Sequence, residues 1–305
     1  MVALGFCFPL GPLSIFCYLP GVLILGVWVG LGMAGWATNR WVLTLSGLFW
    51  TLSLGLLIAA EVVPLVKPQR LTPTFRVASL NAESWSSDLD GVGRQLVEQR
   101  PDVLVLQELW LPANHEAIQD RFPDFHSVSG GPEFTDVSES CDLVILSRRP
   151  LKRLFAGCRR PGLLVAQQDD GLTIVNVHLY RPTGGLRGMR HPYRTIREQT
   201  DTIETLMRLL EQIPGPVVVA GDFNAPARSP AVVPLAARLQ DTRVAGGILW
   251  DKTFPARFPV LSLDHVFCSR ELVPQSWRLL DTTSSDHRGI VLDLAREGPA
   301  SSRSK

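Results

Sequence analysis

Apolar positions divide the chain into two unlike parts. From Val2 to Ala37 and from Trp41 to Val66 they run almost unbroken, separated only by Thr38, Asn39 and Arg40. Each run exceeds the roughly 20 residues that a helix needs to cross the hydrocarbon core, and each carries Trp near its ends, where an amphipathic ring suits the interface. The pattern predicts a two-helix transmembrane hairpin over residues 1–66. Pro9, Pro12 and Pro20 place the start of the first regular helix near Pro20. A signal peptide would be shorter, would start with basic residues and would not be followed at once by a second span.

Residues 67–74, with Pro68 and Pro73, read as a short stiff linker. From Phe75 onward the apolar runs shorten to strand length, alternating with segments of helical spacing. Strands are expected at Phe75–Leu80, Val103–Leu106, Phe125–Ser129, Asp142–Ser147, Leu163–Gln167, Leu172–Leu179, Val217–Ala220, Leu263–Cys268, Ser276–Leu280 and Ile290–Leu294. Helices are expected at Leu89–Arg100, Ala113–Phe122, Tyr193–Ile213 and Pro230–Leu239. Asp169-Asp170-Gly171 supplies a turn between two of the strands. Residues 75–296 thus read as one α+β domain, and 297–305, built of Ser, Gly, Pro and charge, as a disordered tail.

Charge changes this picture little. Lys and Arg number 30 against 29 Asp and Glu, and the first 66 residues hold only Arg40 and Glu61, so no global field points to nucleic acid. Lys67, Arg70 and Arg76 follow the second apolar run whereas Arg40 alone lies between the two, which favours a cytoplasmic catalytic domain over an exported one. Cys7 and Cys17 lie in the apolar front; Cys141, Cys158 and Cys268 have no metal-like spacing, and no disulfide framework is expected.

The chemistry collects where strands end. Asn81 and Glu83 follow the first strand, Glu108 the second, and Asp222 and Asn224 the Val217–Ala220 run; Asp264 opens a strand, and Asp286 and His287 precede the last. A carboxylate and a carboxamide two residues apart can share a metal-assisted phosphoryl site, or can simply form an Asx turn. Asn176 and His178 alternate onto one face of a buried strand, as a satisfied core pair or as the floor of a site. Arg181, Arg187, Arg190, His191, Arg194 and Arg197 form either a solvated face or an anion-binding cluster.

In this order, Leu80-Asn81, Leu106-Gln107-Glu108, Asn176-Val177-His178-Leu179, Gly221-Asp222-Phe223-Asn224, Leu263-Asp264-His265-Val266 and Ser285-Asp286-His287 resemble the endonuclease/exonuclease/phosphatase superfamily of DNase I-like metal-dependent phosphodiesterases. The resemblance implies a four-layer α/β/β/α sandwich of two mixed sheets with the site at one rim. It implies Glu108 as principal Mg²⁺ ligand, with Asn81, Asp286 and Glu83 beside it. His287, held by Asp264, and Asp222 are the rival groups for activating or positioning water. Asn224, Asn176 and His178, with Arg181 from the basic cluster, would grip the phosphate. Ser262 and His265 depart from the Arg and Tyr that many relatives carry, and Cys141-Asp142 departs from their small residues.

Hard oxygen donors suit Mg²⁺ or Mn²⁺ better than Zn²⁺. The expectation is a membrane-anchored Mg²⁺-dependent phosphodiesterase or endonuclease. A lipid head-group phosphodiesterase of sphingomyelinase type and a non-catalytic binding module on the same fold are the alternatives. Nucleic acid stays among the candidate substrates, and no protein partner is indicated.

Overall fold

A computed structural model describes residues 21–38, 40–62, 71–83, 89–109, 120–130, 142–157, 162–181, 192–243, 251–282 and 285–296. Residues 113–119 of the expected helix at Ala113–Phe122, half of the basic cluster (Arg187, Arg190 and His191) and the tail lie outside these residues.

Two apolar helices come first, α1 (Gly21–Ala37) and α2 (Trp41–Val62), packed against each other. Gly35, Thr44 and Gly47 are buried between them, where small residues let two helix backbones approach. The outward positions are apolar too: Val42, Leu45, Phe49 and Leu52, along one face of α2, are each more than 60% exposed. The sequence predicts membrane spans here. Among the described residues, no helix is long and apolar enough to cross a membrane. α1 has 17 residues; α2 has the length, 22 residues, but its side chains are described only as far as Leu52.

The remaining elements are β1 (Phe75–Asn81), α3 (Leu89–Glu98), β2 (Val103–Gln107), β3 (His126–Ser129), β4 (Val144–Ser147), β5 (Leu151–Gly157), β6 (Gly162–Gln168) and β7 (Thr173–His178). They continue with α4 (Pro192–Gln212), β8 (Val217–Asp222), α5 (Val233–Arg238), β9 (Gln240–Asp241), β10 (Asp264–Cys268), β11 (Leu272–Leu280) and β12 (Gly289–Arg296). They build two six-stranded sheets, ordered β11-β12-β1-β2-β4-β3 and β5-β6-β7-β8-β10-β9. Each is mixed, with one parallel pair at its centre, β1 with β2 and β7 with β8. Strands β5 and β9 escape the sequence reading: β5 is a bulged edge strand containing Lys152 and Arg153, and β9 is too short to carry a period.

Alternation along the strands sorts side chains into three apolar layers. Val77, Val105, Ile145 and Leu292 meet Leu164, Ile174, Val218 and Val266 between the sheets. Ala78, Leu80, Leu104 and Leu146 pack outward on Leu96 of α3, and Val165, Val175, Val219 and Phe267 on Ile203, Leu206 and Leu210 of α4. The order is therefore helix, sheet, sheet, helix. Because β1, β2, β7 and β8 run the same way, Asn81, Gln107, His178 and Asp222 all finish at one rim. Antiparallel β10 and β12 begin at that rim, with Asp264 and Gly289.

Candidate active site

Asp222 is the centre of the polar residues on this rim. It is fully buried, and its Oδ1 accepts the Asn224 N–H at 2.7 Å. Oδ2 accepts Nδ2 of Asn81 at 3.0 Å and Nδ2 of Asn224 at 3.1 Å. Gly221 makes this placement of the strand end attainable. Its φ is +144°, and a Cβ there would stand 2.0 Å from the Val177 carbonyl oxygen on the neighbouring strand.

An Asp–His pair stands on each side of Asp222. His287 Nδ1 lies 2.8 Å from Asp264 Oδ2, and its Nε2 3.8 Å from Asp222 Oδ2. His178 Nδ1 lies 3.1 Å from Asp142 Oδ2, and its Nε2 4.0 Å from the same Asp222 oxygen and 3.5 Å from Glu108. Both pairs cross the seam between the sheets: Asp142 and His287 precede β4 and β12, whereas His178 and Asp264 belong to β7 and β10. Asp142 was not legible as a site residue. An acid ahead of a strand has no period, and its distance from His178 is set only when the sheets pack.

Electrostatics follow from burial among carboxylates. Burial lowers the proton affinity of His287, but Asp264, Asp222 and Asp286 outweigh it and push the imidazole up to about 10. His178 is raised on the same pattern, burial opposing and Asp142, Asp222 and Glu108 prevailing. Burial also raises Asp222, against the pull of His287. Near neutral pH the His287 imidazole is therefore a cationic donor facing one buried acid, and His178 is shifted in the same direction.

Glu108 Oε1 accepts Nη2 of Arg181 at 2.9 Å, at the more exposed side of the site. Glu83 Oε2 accepts the Asp286 N–H at 2.8 Å, and Asn81 Oδ1 accepts the Glu83 N–H. Glu83, Glu108 and Asn224 all have positive φ, at +42°, +52° and +47°. Such backbone is costly for residues other than glycine and is retained where surrounding contacts fix it. Asn176 faces inward beneath the site. Its Nδ2 donates to the carbonyls of Leu106 and Val144, and its Oδ1 accepts Gln107 Nε2 at 2.7 Å, so its amide ties one sheet to the other. Of the basic cluster, Arg181 and Arg197 are the described arginines with described side chains; Arg187, Arg190 and His191 lie outside the described residues.

The donor set suits a hard divalent cation. Among the described residues, buried Asp286 Oδ1 and Asp264 Oδ1 have no hydrogen-bond partner, while Glu108, Asn81 and Glu83 add oxygen donors nearby in the site. Asp222, Asp264 and His287 also bring ligand atoms within 4.8 Å of one another. There the neighbouring carboxylates raise His287, so a metal would have to displace the Nε2 proton to be ligated by that nitrogen.

A third buried imidazole lies behind the site. His265 Nε2–H donates to the Ala225 carbonyl at 2.8 Å, beside the ion-paired Arg243, Asp241 and Asp251. Burial first, then Arg243, pushes His265 down to about 4. The unfolded chain takes up this proton near pH 6.5 and the folded protein does not. The resulting stabilisation is complete above pH 6.5 and is lost as the pH falls towards 4, by up to about 3 kcal/mol. Urea midpoints of the wild type should fall between pH 7 and 4.5 more steeply than those of His265→Tyr; equal slopes would refute this assignment.

A family model described as the endonuclease/exonuclease/phosphatase family matches residues 74–287. No curated protein matches the chain in sequence. A 3′ phosphatase from Neisseria, solved bound to a product DNA hairpin, superposes with TM-score 0.56 at 19% identity, over 73% of this chain and 100% of that one. An AP endonuclease from Archaeoglobus fulgidus gives 0.56 at 16%, over 74% and 100%. An endonuclease/exonuclease/phosphatase from Bacteroides vulgatus gives 0.56 at 16%, over 73% and 99%. At these identities the likeness speaks to fold.

Proposed function

Since the chain belongs to the endonuclease/exonuclease/phosphatase family, we propose that it is a Mg²⁺-dependent hydrolase of phosphate esters, a phosphodiesterase or endonuclease, attached to a membrane by the α1–α2 hairpin. The observation that carries the hydrolytic reading is the pair of Asp-held imidazoles facing Asp222 from both sides. The exposed apolar faces of the hairpin support the attachment.

In this mechanism Glu108, with Asn81, Asp286 and Glu83, would hold the divalent cation, Mg²⁺ or Mn²⁺. When bound, the cation neutralises charge on the phosphate oxygens and so eases approach of a nucleophile. His287, already protonated, donates to a phosphate oxygen and is not the group that takes water's proton. That leaves Asp222, whose proton affinity burial has raised, to orient the attacking water and accept its proton. As the water oxygen bonds to phosphorus, the ester P–O bond on the opposite side breaks, and His178 supplies the proton that the leaving oxygen takes up. Arg181 and Asn224 border the site where phosphate oxygens would lie.

The full chain, purified in detergent, is expected to hydrolyse an aryl phosphodiester or plasmid DNA with Mg²⁺ and to lose that activity in EDTA. A panel of DNA, RNA, sphingomyelin, inositol phosphates and nucleotides that gives no Mg²⁺-dependent turnover would sink the proposal.

A further inference from the structure

Strand polarity says which way the site faces. The chain enters the sandwich at Phe75 and reaches the polar rim only at Asn81, the far end of β1. The entry is tied down at the opposite rim: the Leu71 N–H donates to Gln275 Oε1 at 2.7 Å, and the Thr74 N–H to the Leu294 carbonyl at 2.8 Å. Gln275 and Leu294 belong to the parts of β11 and β12 furthest from Gly289 and the site. The two rims also differ in their connections. Short turns such as Arg148–Pro150 and Ser269–Glu271 close the entry rim, while the long segment before β10 and the segments carrying Glu108, Arg181 and His287 lie at the other.

We infer that the site opens away from the bilayer holding the hairpin, and that its substrate is a water-soluble phosphoester and not a head group of that bilayer. This rests on the membrane attachment and hydrolysis proposed above. The seven residues of β1 separate the rims by about 20 Å. Only residues 63–70 join Val62 at the end of α2 to the anchored Leu71, a reach of at most about 30 Å when fully extended. Laying the site rim on the bilayer would require this segment to run back along the whole side of the sandwich, using about two thirds of that reach. With the entry rim on the bilayer, no such stretch is needed. At the entry rim Arg149 is paired with Asp169 and Arg296 with Asp170.

Full-length protein reconstituted in sphingomyelin-containing phosphatidylcholine vesicles tests this in two ways. After flotation, a water-soluble aryl phosphodiester should be turned over within about threefold of the detergent rate, while sphingomyelin or phosphatidylcholine of the host bilayer is cleaved at least 100-fold more slowly. Comparable release of host head groups overturns the inference. Independently of turnover, a donor dye on Arg270→Cys at the entry rim should transfer energy to rhodamine-labelled lipid more efficiently than one on Phe258→Cys, an exposed residue of the site rim. The labelling background carries Cys7→Ser, Cys17→Ser, Cys141→Ser and Cys158→Ser; buried Cys268, its thiol pushed up to about 12, stays unlabelled. Equal transfer, or more from Phe258→Cys, overturns the inference even in an inactive preparation. Failure to float refutes the attachment and the inference with it; loss of all hydrolysis with the dye order intact refutes only the reaction.

Discussion

Alanine at position 287 is expected to lower kcat for an aryl phosphodiester on the order of 10³-fold at saturating Mg²⁺, with a much smaller change in KM. The imidazolium of His287 stands between Asp264 at 2.8 Å and Asp222 at 3.8 Å. It is the fixed positive charge beside the group assigned to handle water, and its contact with phosphate strengthens as charge develops on the oxygens. Asp264→Asn should cost less, because it leaves the ring in place while weakening the charge that keeps it protonated. The double variant should be no slower than His287→Ala alone, since residues that act as one unit do not add. Circular dichroism must match the wild type for the comparison to stand. A His287→Ala rate within tenfold of wild type would remove His287 from the mechanism.

The second large effect is on folding. Gly221→Ala should destabilise the domain by more than about 4 kcal/mol, or prevent its accumulation, because two costs coincide. The φ of +144° is poorly tolerated by any side chain, and the new Cβ would sit 2.0 Å from the Val177 carbonyl oxygen. That oxygen cannot retreat easily, since β7 and β8 are paired from Thr173 with Val217 to His178 with Asp222. Gly171 is the matched control: its φ is +85°, but no atom lies within 4 Å of where its Cβ would go. Gly171→Ala should therefore cost only about 1 kcal/mol, that of the left-handed backbone. Equal urea midpoints for the two variants would mean that the close approach is not what requires glycine.

What the sequence made legible was what has a local period or a local neighbour. Val217 to Ala220 announces a buried strand, and that strand delivers Asp222 and Asn224 as its continuation. Thr173 to His178 reads the same way. Features fixed by distant parts of the chain could not be read. Asp142 becomes the partner of His178 only through packing of β4 on β7. For Asn176 the reading left a core pair and a site floor open, and only the opposite sheet's carbonyls show where its donors go. The positive φ of Glu83 and Glu108 has no sequence signal, since neither position is glycine. The hairpin was legible as apolar material in helical segments, although its passage through a bilayer is a proposal.

The seam between the sheets has a consequence for how activity arises and fails. Asn81 meets Asp222, Asp142 meets His178 and Asp264 meets His287, each contact taking one residue from either side. Neither sheet alone contains a complete Asp–His pair, and a nascent chain that has formed only β1–β6, parts of both sheets, still lacks His178, Asp222, Asp264 and His287. Competence therefore requires the two sheets to be docked. By the same token a slight parting of the halves would silence the protein while its strands and helices remained intact, making turnover a more sensitive gauge of docking than any measure of secondary structure.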